Sequence, residues 1–408
     1  MEFSISFHTK NNVYKFFLVQ NLRRILIALC GILALFIAPL RLLFLKVNQK
    51  NGGRDFERDL RVLFLVPQGF NISDPKNNNL NGSTKVNESI VELLKEMKIR
   101  YEIECVSKTF LASVYQLIKV TRNAKRILYC HKVLISIPGS SGYLATFLSV
   151  ICRKDVIFLS HNAELFHRRD WIRNIKGIRR KILYAFKAVN GFVSDLLVAN
   201  SNCDVLVLGE REIELYWNRI KLRKFDLKSV HYFPYIPPKR LRFSKSETSR
   251  INVAIVGTFA PNIGENRGNN SFFISLNPIT KILNKVGLDL ITIGHGNEYA
   301  SRVCKKNYGF VDDKAYLALN SKICAILVPS DWGWGFKTKI ADAIFANQRV
   351  YLPRTLGERY PSWAQALFLI DSWNDFVWVK MSKKERDIRN MVKRKQIKLR
   401  REIAAHIL

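Results

Sequence analysis

The sequence predicts an α/β protein of two Rossmann-like domains, with an N-terminal hydrophobic membrane element ahead of them. Three observations carry this. Short, continuous apolar runs such as Val62–Pro67 and Ile251–Val256 recur along the chain, of the kind that fills a parallel strand buried on both faces. Polar, glycine-bearing turns and helical stretches follow these runs, the alternation of βαβ units. The 408 residues, 48% apolar, fall into two such blocks on either side of Pro237-Pro238 and a basic tract to Arg250.

In chain order, residues 1–24 mix aromatics with Lys10, Lys15, Arg23 and Arg24. No charge stands between Ile25 and Leu40, and Leu42–Leu45 extends the run past Arg41, close to the roughly 20 residues that span a bilayer. A signal peptide lacks its small-residue cleavage site here, and Pro39 with the flanking basic residues argues against a buried core helix. The reading is a membrane anchor over 25–45, spanning or interfacial, within an anchor-and-linker segment 1–55.

The first α/β domain, 56–240, opens with the Val62–Pro67 strand. A polar loop with Gly69 and Gly82 leads to an amphipathic helix at Glu88–Met97, and such a loop lies at the carboxyl edge of a sheet, where α/β proteins bind ligands. Strands are expected at Tyr101–Val106, Val133–Ile137 and Asp155–Leu159, with a helix from Gly139 through Val150. The Asp155 strand runs into Ser160-His161-Asn162-Ala163-Glu164. His161 titrates near neutrality and can donate to a hydroxyl or phosphate, and Glu164 can accept from a hydroxyl; a capped strand-end turn is the plainer alternative. From Arg168 to Lys187 basic residues dominate, while Trp171, Ile172, Ile175, Ile178, Ile182 and Leu183 fall near one helical stripe. That pattern reads as a helix for a membrane surface, or as a core-packed helix with a solvated face. Asp195–Ala199 and Asp204–Leu208 read as strands, then a charged helix at Glu210–Lys224 and a short strand at Val230–Pro234.

The second domain, 250–378, opens with Ile251–Val256 and a turn at Gly257 and Thr258. Leu288–Gly294 and Tyr308–Val311 read as strands, and Asp312-Asp313 as a helix cap, with metal ligation the alternative for the two carboxylates. After the strand Ala325–Pro329 comes the stretch from Gly333 to Leu352. Its glycines Gly333 and Gly335 permit close approach to a ligand, and a helix starts near Thr338. Ile340, Ala343 and Ile344 share a buried face, while Lys339 and Asp342 project together from another. Asn347 suits a left-handed helix stop. A glycine loop, a helix start and Lys337 together make a phosphate cradle, with Asp342 one turn inside, in reach of ribose hydroxyls; an ordinary loop-helix-strand connector with solvated lysines is the alternative.

The spacing G-x-K-x-K-x-x-D-A-x-x-x-N from Gly335 to Asn347, and S-H-N-A-E at Ser160–Glu164, resemble in their order two segments of family 4 glycosyltransferases of the GT-B fold. The resemblance covers roughly Arg61 to Trp378. That family has a glutamate at the position of Asp342, usually a glycine at that of Asn347, and often another glutamate at that of Trp334. It implies two Rossmann-like domains facing a cleft and transfer, with retention and without a metal or cofactor, from a nucleotide-diphosphate sugar. The implied donor set is Gly257, Thr258, Arg267, Gly335, Phe336, Lys337, Thr338, Lys339 and Asp342. His161, Glu164 and Lys337 would face the reacting centre, with Gly82 and Asn162 on the acceptor side. A sugar-nucleotide epimerase of the same fold and a non-catalytic basic binding protein remain as alternatives.

Lys and Arg exceed Asp and Glu by 33, which favours an anionic partner. With the anchor, that points to an anionic membrane surface and a lipid-linked or glycan acceptor at the cytoplasmic face rather than to nucleic acid. The seven cysteines are scattered without CxxC or Cys/His spacing, so no metal site is expected and they read as reduced core residues. A basic terminal segment, 379–408, carries Ile388, Val392, Ile397, Leu399 and Ile403 in a helical pattern that also packs, crossing back to the first domain as such helices do in GT-B proteins.

Overall fold

In the computed structural model, the apolar runs form two six-stranded sheets, parallel throughout. The structure describes residues 62–67, 70, 82–106, 130–137, 154–174, 177–220, 229–242, 251–256, 266–294, 303–309, 311–329 and 334–408. The expected anchor at 25–45, the helix after Gly139 and the turn at Gly257 and Thr258 lie outside them. The chain divides into Met1–Arg58 and Asp59–Leu408, and both sheets belong to the second unit.

The first lobe holds strands β1 (Val62–Pro67), β2 (Tyr101–Val106), β3 (Lys132–Ile135), β4 (Asp155–Ser160), β5 (Cys203–Val207) and β6 (Val230–Tyr232) in the order β2-β1-β3-β4-β5-β6. The second holds β7 (Asn252–Val256), β8 (Asp289–Ile293), β9 (Lys306–Asn307), β10 (Ile323–Leu327), β11 (Arg349–Pro353) and β12 (Phe368–Ile370) in the order β12-β11-β10-β7-β8-β9. Strand order reverses direction between β1 and β3 in one sheet and between β7 and β10 in the other. Such switch points open a crevice at the carboxyl edge, where ligands bind.

Both faces of each sheet are covered, which is why the strand sequences do not alternate with polar residues. Val62, Phe64 and Val66 enter one core, and Leu63 and Leu65 enter another behind it. The larger core runs on through α1 (Gly82–Glu96) and the segment 233–241 to Ala254, Ile340 and Ile344 of the second lobe. A third core of Val253, Ile255, Leu290 and Leu327 lies on the far face of the second sheet.

Two helices follow β4: α2 (Glu164–Asn174) and α3 (Ile178–Ala199), with Gly177 between them at φ +92°. Asp195–Ala199, expected as a strand, is the last turn of α3. Ala188, Gly191, Ser194, Asp195 and Val198 of that helix are buried, whereas Ile178, Ile182, Leu183, Phe186 and Val189 stand half or more exposed. By length and composition α3 could cross a membrane. Helix α4 covers 210–220, with a π turn at Ile213–Trp217. In the second lobe come α5 (Asn266–Lys285), α6 (Asp313–Asn320) and α7 (Thr338–Phe345). Asp312 caps α6 by accepting from the Ala315 amide at 2.7 Å, and Asn347 ends α7 at φ +57°, both as the sequence suggests. The edge strand expected at Tyr308–Val311 instead forms at Lys306–Asn307.

The terminal helix α8 (Lys383–Ile407), started by a Ser382/Glu385 capping box, joins the lobes. Near its start Glu385 binds buried Arg349 at 2.5 Å, and Arg389 donates to the carbonyls of Gln348 and Ala366. Farther on, Gln396 accepts from Tyr232 at 2.9 Å, Arg400 donates to Ser89 Oγ (2.6 Å) and O (2.8 Å), and the Ile407 carbonyl accepts from Lys132. Burial lowers the Arg400 guanidinium to about 9, and it lies over the Phe233 ring at 4.9 Å.

Candidate active site

The end of β4 and the loop after β10 meet at Gly335. With φ +105°, its missing side chain points at the turn after β4: a Cβ there would lie 2.8 Å from Asn162 Cγ and 3.0 Å from the His161 carbonyl oxygen. Only glycine fits both the dihedral and the space. The Asn162 carboxamide nitrogen donates to the carbonyls of Trp334 (3.0 Å) and His161 (2.8 Å). His167 Nδ1 donates to the same Trp334 carbonyl at 3.0 Å. Burial, then the nearby Arg168 charge, lowers His167 to about 4, so the ring is neutral at pH 7 and keeps one N–H for that bond. The Trp334 ring packs on Phe166 (4.7 Å) and under the Arg359 guanidinium (4.9 Å).

His161 is fixed from behind. Its Nε2 lies 2.9 Å from Ser136 Oγ at the end of β3, and that hydroxyl donates to Asn87 of α1, so Nε2 carries the hydrogen. The loop in front is braced as well. Buried Tyr360 donates to the Gly335 carbonyl at 2.8 Å and accepts from the Lys337 amide at 3.2 Å.

Lys337 is the N-cap of α7, and its own side chain makes no capping hydrogen bond to that helix. Thr338 opens the helix, and Lys339 Nζ donates to the Val256 carbonyl at 2.7 Å, tying α7 to the end of β7. The N-terminus of α1 abuts the same place, since a Cβ at Gly82 would stand 3.4 Å from Thr338 Oγ1. Neither helix has an acidic residue in its first turn. The starts of α1 and α7 therefore meet at the carboxyl edges of both sheets, with Lys337 as the N-cap of one, a favourable place for a phosphorylated anion.

No family model matches the chain, and no curated protein matches it. Solved structures do. The Anabaena HepE complex with UDP and glucose matches with a TM-score of 0.55 at 11% identity, over 85% of this chain and 99% of that one. Sucrose-phosphate synthase from Thermosynechococcus elongatus matches with 0.53 at 10% identity, over 85% and 94%. The N-terminal domain of Candida albicans trehalose-6-phosphate phosphatase gives 0.51 at 10%, over 86% and 98%. The chain has the GT-B fold.

Besides Lys339 and Asn162, which hold backbone carbonyls, three expected site residues of the GT-B cleft are engaged in contacts of their own. Asp342 is 3% exposed, with Oδ2 on Lys85 Nζ at 2.5 Å and Oδ1 on the Tyr235 hydroxyl at 3.0 Å. A ribose would have to displace one of these partners. Glu164 turns into the first lobe, where it accepts from Arg168 Nε at 3.1 Å and packs on Gly191, and burial raises its carboxyl. Phe336 is a core residue, ringed by Tyr360 (5.2 Å), Trp363 (5.7 Å) and Tyr235 (6.0 Å). Arg267 sits in the first turn of α5.

Beneath the His161 turn lies a set of buried acids with no expected role. Asp195 accepts from Tyr216 at 2.6 Å and from the Glu164 amide at 3.2 Å, and burial holds its carboxyl far above the usual range. Glu212 is raised to about 8 by burial and by Asp195. Lys85, Ser136, Asn87 and Tyr360 were also silent in the sequence, for each acts through a partner remote in the chain.

Proposed function

We propose that the protein is a glycosyltransferase. It moves a sugar, with retention, from a nucleoside diphosphate donor to a lipid-linked glycan at the cytoplasmic membrane face, in cell-surface polysaccharide assembly. The observation that carries this reading is the fit of Gly335 against the His161–Asn162 turn, which brings the two sequence motifs into one crevice. The fold likeness to HepE, a protein solved with UDP and with UDP-glucose, supports a donor of that class.

In this reading the N-terminus of α7 and Lys337 neutralise the leaving diphosphate, and Gly335 lets the His161–Asn162 turn pack directly against the loop that carries Lys337. His161, its ring oriented by Ser136 through Nε2, accepts at the reacting sugar through Nδ1. Asn162 fixes the loop rather than the acceptor. Catalysis is then charge stabilisation of the leaving group and alignment of two substrates. The membrane part rests on α3. Its exposed Ile178, Ile182, Phe186 and Val189 form one face, interleaved with exposed Arg179, Arg180, Lys181 and Lys187. Because α3 packs on α2, which begins at the His161 turn, a bilayer against that face would present a lipid-linked acceptor near the crevice.

A second reading, a basic membrane-binding protein with a silent site, draws on Trp334, an aromatic residue where the resembled family often has a carboxylate. Calorimetry on the full chain with UDP and other nucleoside diphosphates separates the two. Binding of at least one, with release of that nucleotide from its sugar conjugate, is expected. Lys337→Ala should lower turnover about 100-fold with an unchanged circular dichroism spectrum. No heat with any nucleotide, or full turnover in the Lys337 variant, overturns the proposal.

A further inference from the structure

Lys85 belongs to the first lobe and Asp342 to the second, yet they form a buried ion pair at 2.5 Å, with side chains 8% and 3% exposed. Tyr235, from the segment between the two sheets, donates to the other oxygen of Asp342 at 3.0 Å, and Lys85 Nζ lies 5.3 Å from the centre of the Tyr316 ring. Thus α1 and the 233–238 segment both reach the carboxylate that α7 carries, and α6 places Tyr316 against the lysine of the pair. A desolvated pair of this kind adds little net stability, but removing one partner leaves a buried charge alone, so it fixes geometry more than it lowers energy. What it fixes is specific. Lys85 stands one turn inside α1 and Asp342 one turn inside α7, the two helices whose N-termini touch at Gly82 and Thr338.

We propose that Lys85 is a positioning residue for sugar transfer: by holding Asp342 from the opposite lobe, it sets the start of α7 in register with the His161 turn. The inference rests on the glycosyltransferase reading and deepens it. Nucleotide binding draws chiefly on Lys337 and the start of α7, which the second lobe supplies, and only the lesser contribution of the α1 end comes from the first lobe. Transfer needs the donor and the acceptor turn aligned, and misplacement by about 1 Å costs roughly 100-fold in rate. The inference also assigns Asp342 to Lys85 and Tyr235 rather than to ribose.

The test uses the full chain, with Lys85→Met, Lys85→Arg, and the double variant Lys85→Met/Asp342→Asn, which leaves no lone buried charge if the single variant fails to fold. Dissociation constants for UDP come from calorimetry, turnover from nucleotide release, and the radius of gyration without ligand from X-ray scattering. The expected result is that the double variant keeps its UDP affinity within about threefold, loses about 100-fold in kcat and has an enlarged radius, with Lys85→Arg recovering part of kcat. Unchanged kcat and radius in the double variant overturn the proposal. So does UDP affinity weakened tenfold or more, which would make the pair a direct ligand set. If the wild-type chain binds no nucleotide, the glycosyltransferase reading fails by itself, and the scattering comparison alone then decides whether Lys85 holds the lobes in register.

Discussion

Gly335→Ala tests the junction between the two motifs most directly. A residue with a Cβ at φ +105° is strained by about 1–3 kcal/mol even in open space. Here the space is closed: the added carbon would stand 2.8 Å from Asn162 Cγ and 3.0 Å from the His161 carbonyl oxygen. The side-chain neighbour can turn aside, but the carbonyl is backbone and moves only with the whole turn. Overpacking of this kind costs about 1–3 kcal/mol more, so a loss of about 2–6 kcal/mol is expected in urea unfolding. Asn162→Gly added to Gly335→Ala removes the carboxamide contact and should recover part of that loss, leaving the dihedral strain and the carbonyl contact. UDP affinity, read by calorimetry, should fall along with stability, because the same loop carries Lys337. A Gly335→Ala protein with wild-type stability and affinity would refute the reasoning, since the loop would then have an alternative path that this packing does not allow.

Two further outcomes follow from other parts of the molecule. Phe186→Glu together with Ile182→Glu, on the exposed half of α3, should reduce binding to vesicles containing anionic lipid at least tenfold in a sedimentation assay and leave binding to neutral vesicles equally weak; unchanged sedimentation would remove α3 from the membrane reading. Glu212 gives a pH effect with a definite sign. Its carboxyl is at about 8 in the folded chain against 4.5 as the ordinary value, so the folded state keeps a proton that the unfolded chain releases. Stability from this group is full below pH 4.5 and declines as pH rises to about 8, by up to a few kcal/mol at about 1.4 kcal/mol per pH unit. Glu212→Gln should flatten that decline and be the more stable protein at pH 8.5 in urea unfolding, and a wild-type profile in the variant would contradict the assignment.

The fold was legible because strands buried on both faces leave an unmistakable apolar run, and β1, β4, β7 and β10 each announced themselves in that way. Helix punctuation was legible too: Asp312 and Asn347 act through their own backbone neighbours, so local sequence suffices. Asp195–Ala199 was misread as a strand because a short apolar run, Leu196–Ala199, carries no periodicity that separates a buried strand from the last turn of a helix. The Tyr308 strand was misplaced by two residues for the same reason, its pairing with β8 being decided by register and not by composition. Site geometry was legible only where a motif was continuous. His161, Asn162 and Gly335 do come together, whereas the true surroundings of Asp342 depend on Lys85, 257 residues away. Phe336 shows the converse limit: next to a ligand-loop glycine in sequence, it is claimed by the aromatic core of Tyr235, Tyr360 and Trp363. The cysteines divide as well, for Cys130, Cys203 and Cys304 are buried but Cys105, on edge strand β2, is exposed.

The terminal helix has a consequence for how the chain is made. Val62 is among the earliest described residues to leave the ribosome, yet the core around it is completed by Ala404 and Ile407, and Ser89 waits for Arg400. Until residues 383–407 emerge, the early lobe has an open flank, so a nascent chain halted anywhere before them would display apolar surface and depend on chaperones. Premature stop codons late in the gene should therefore be as damaging as early ones.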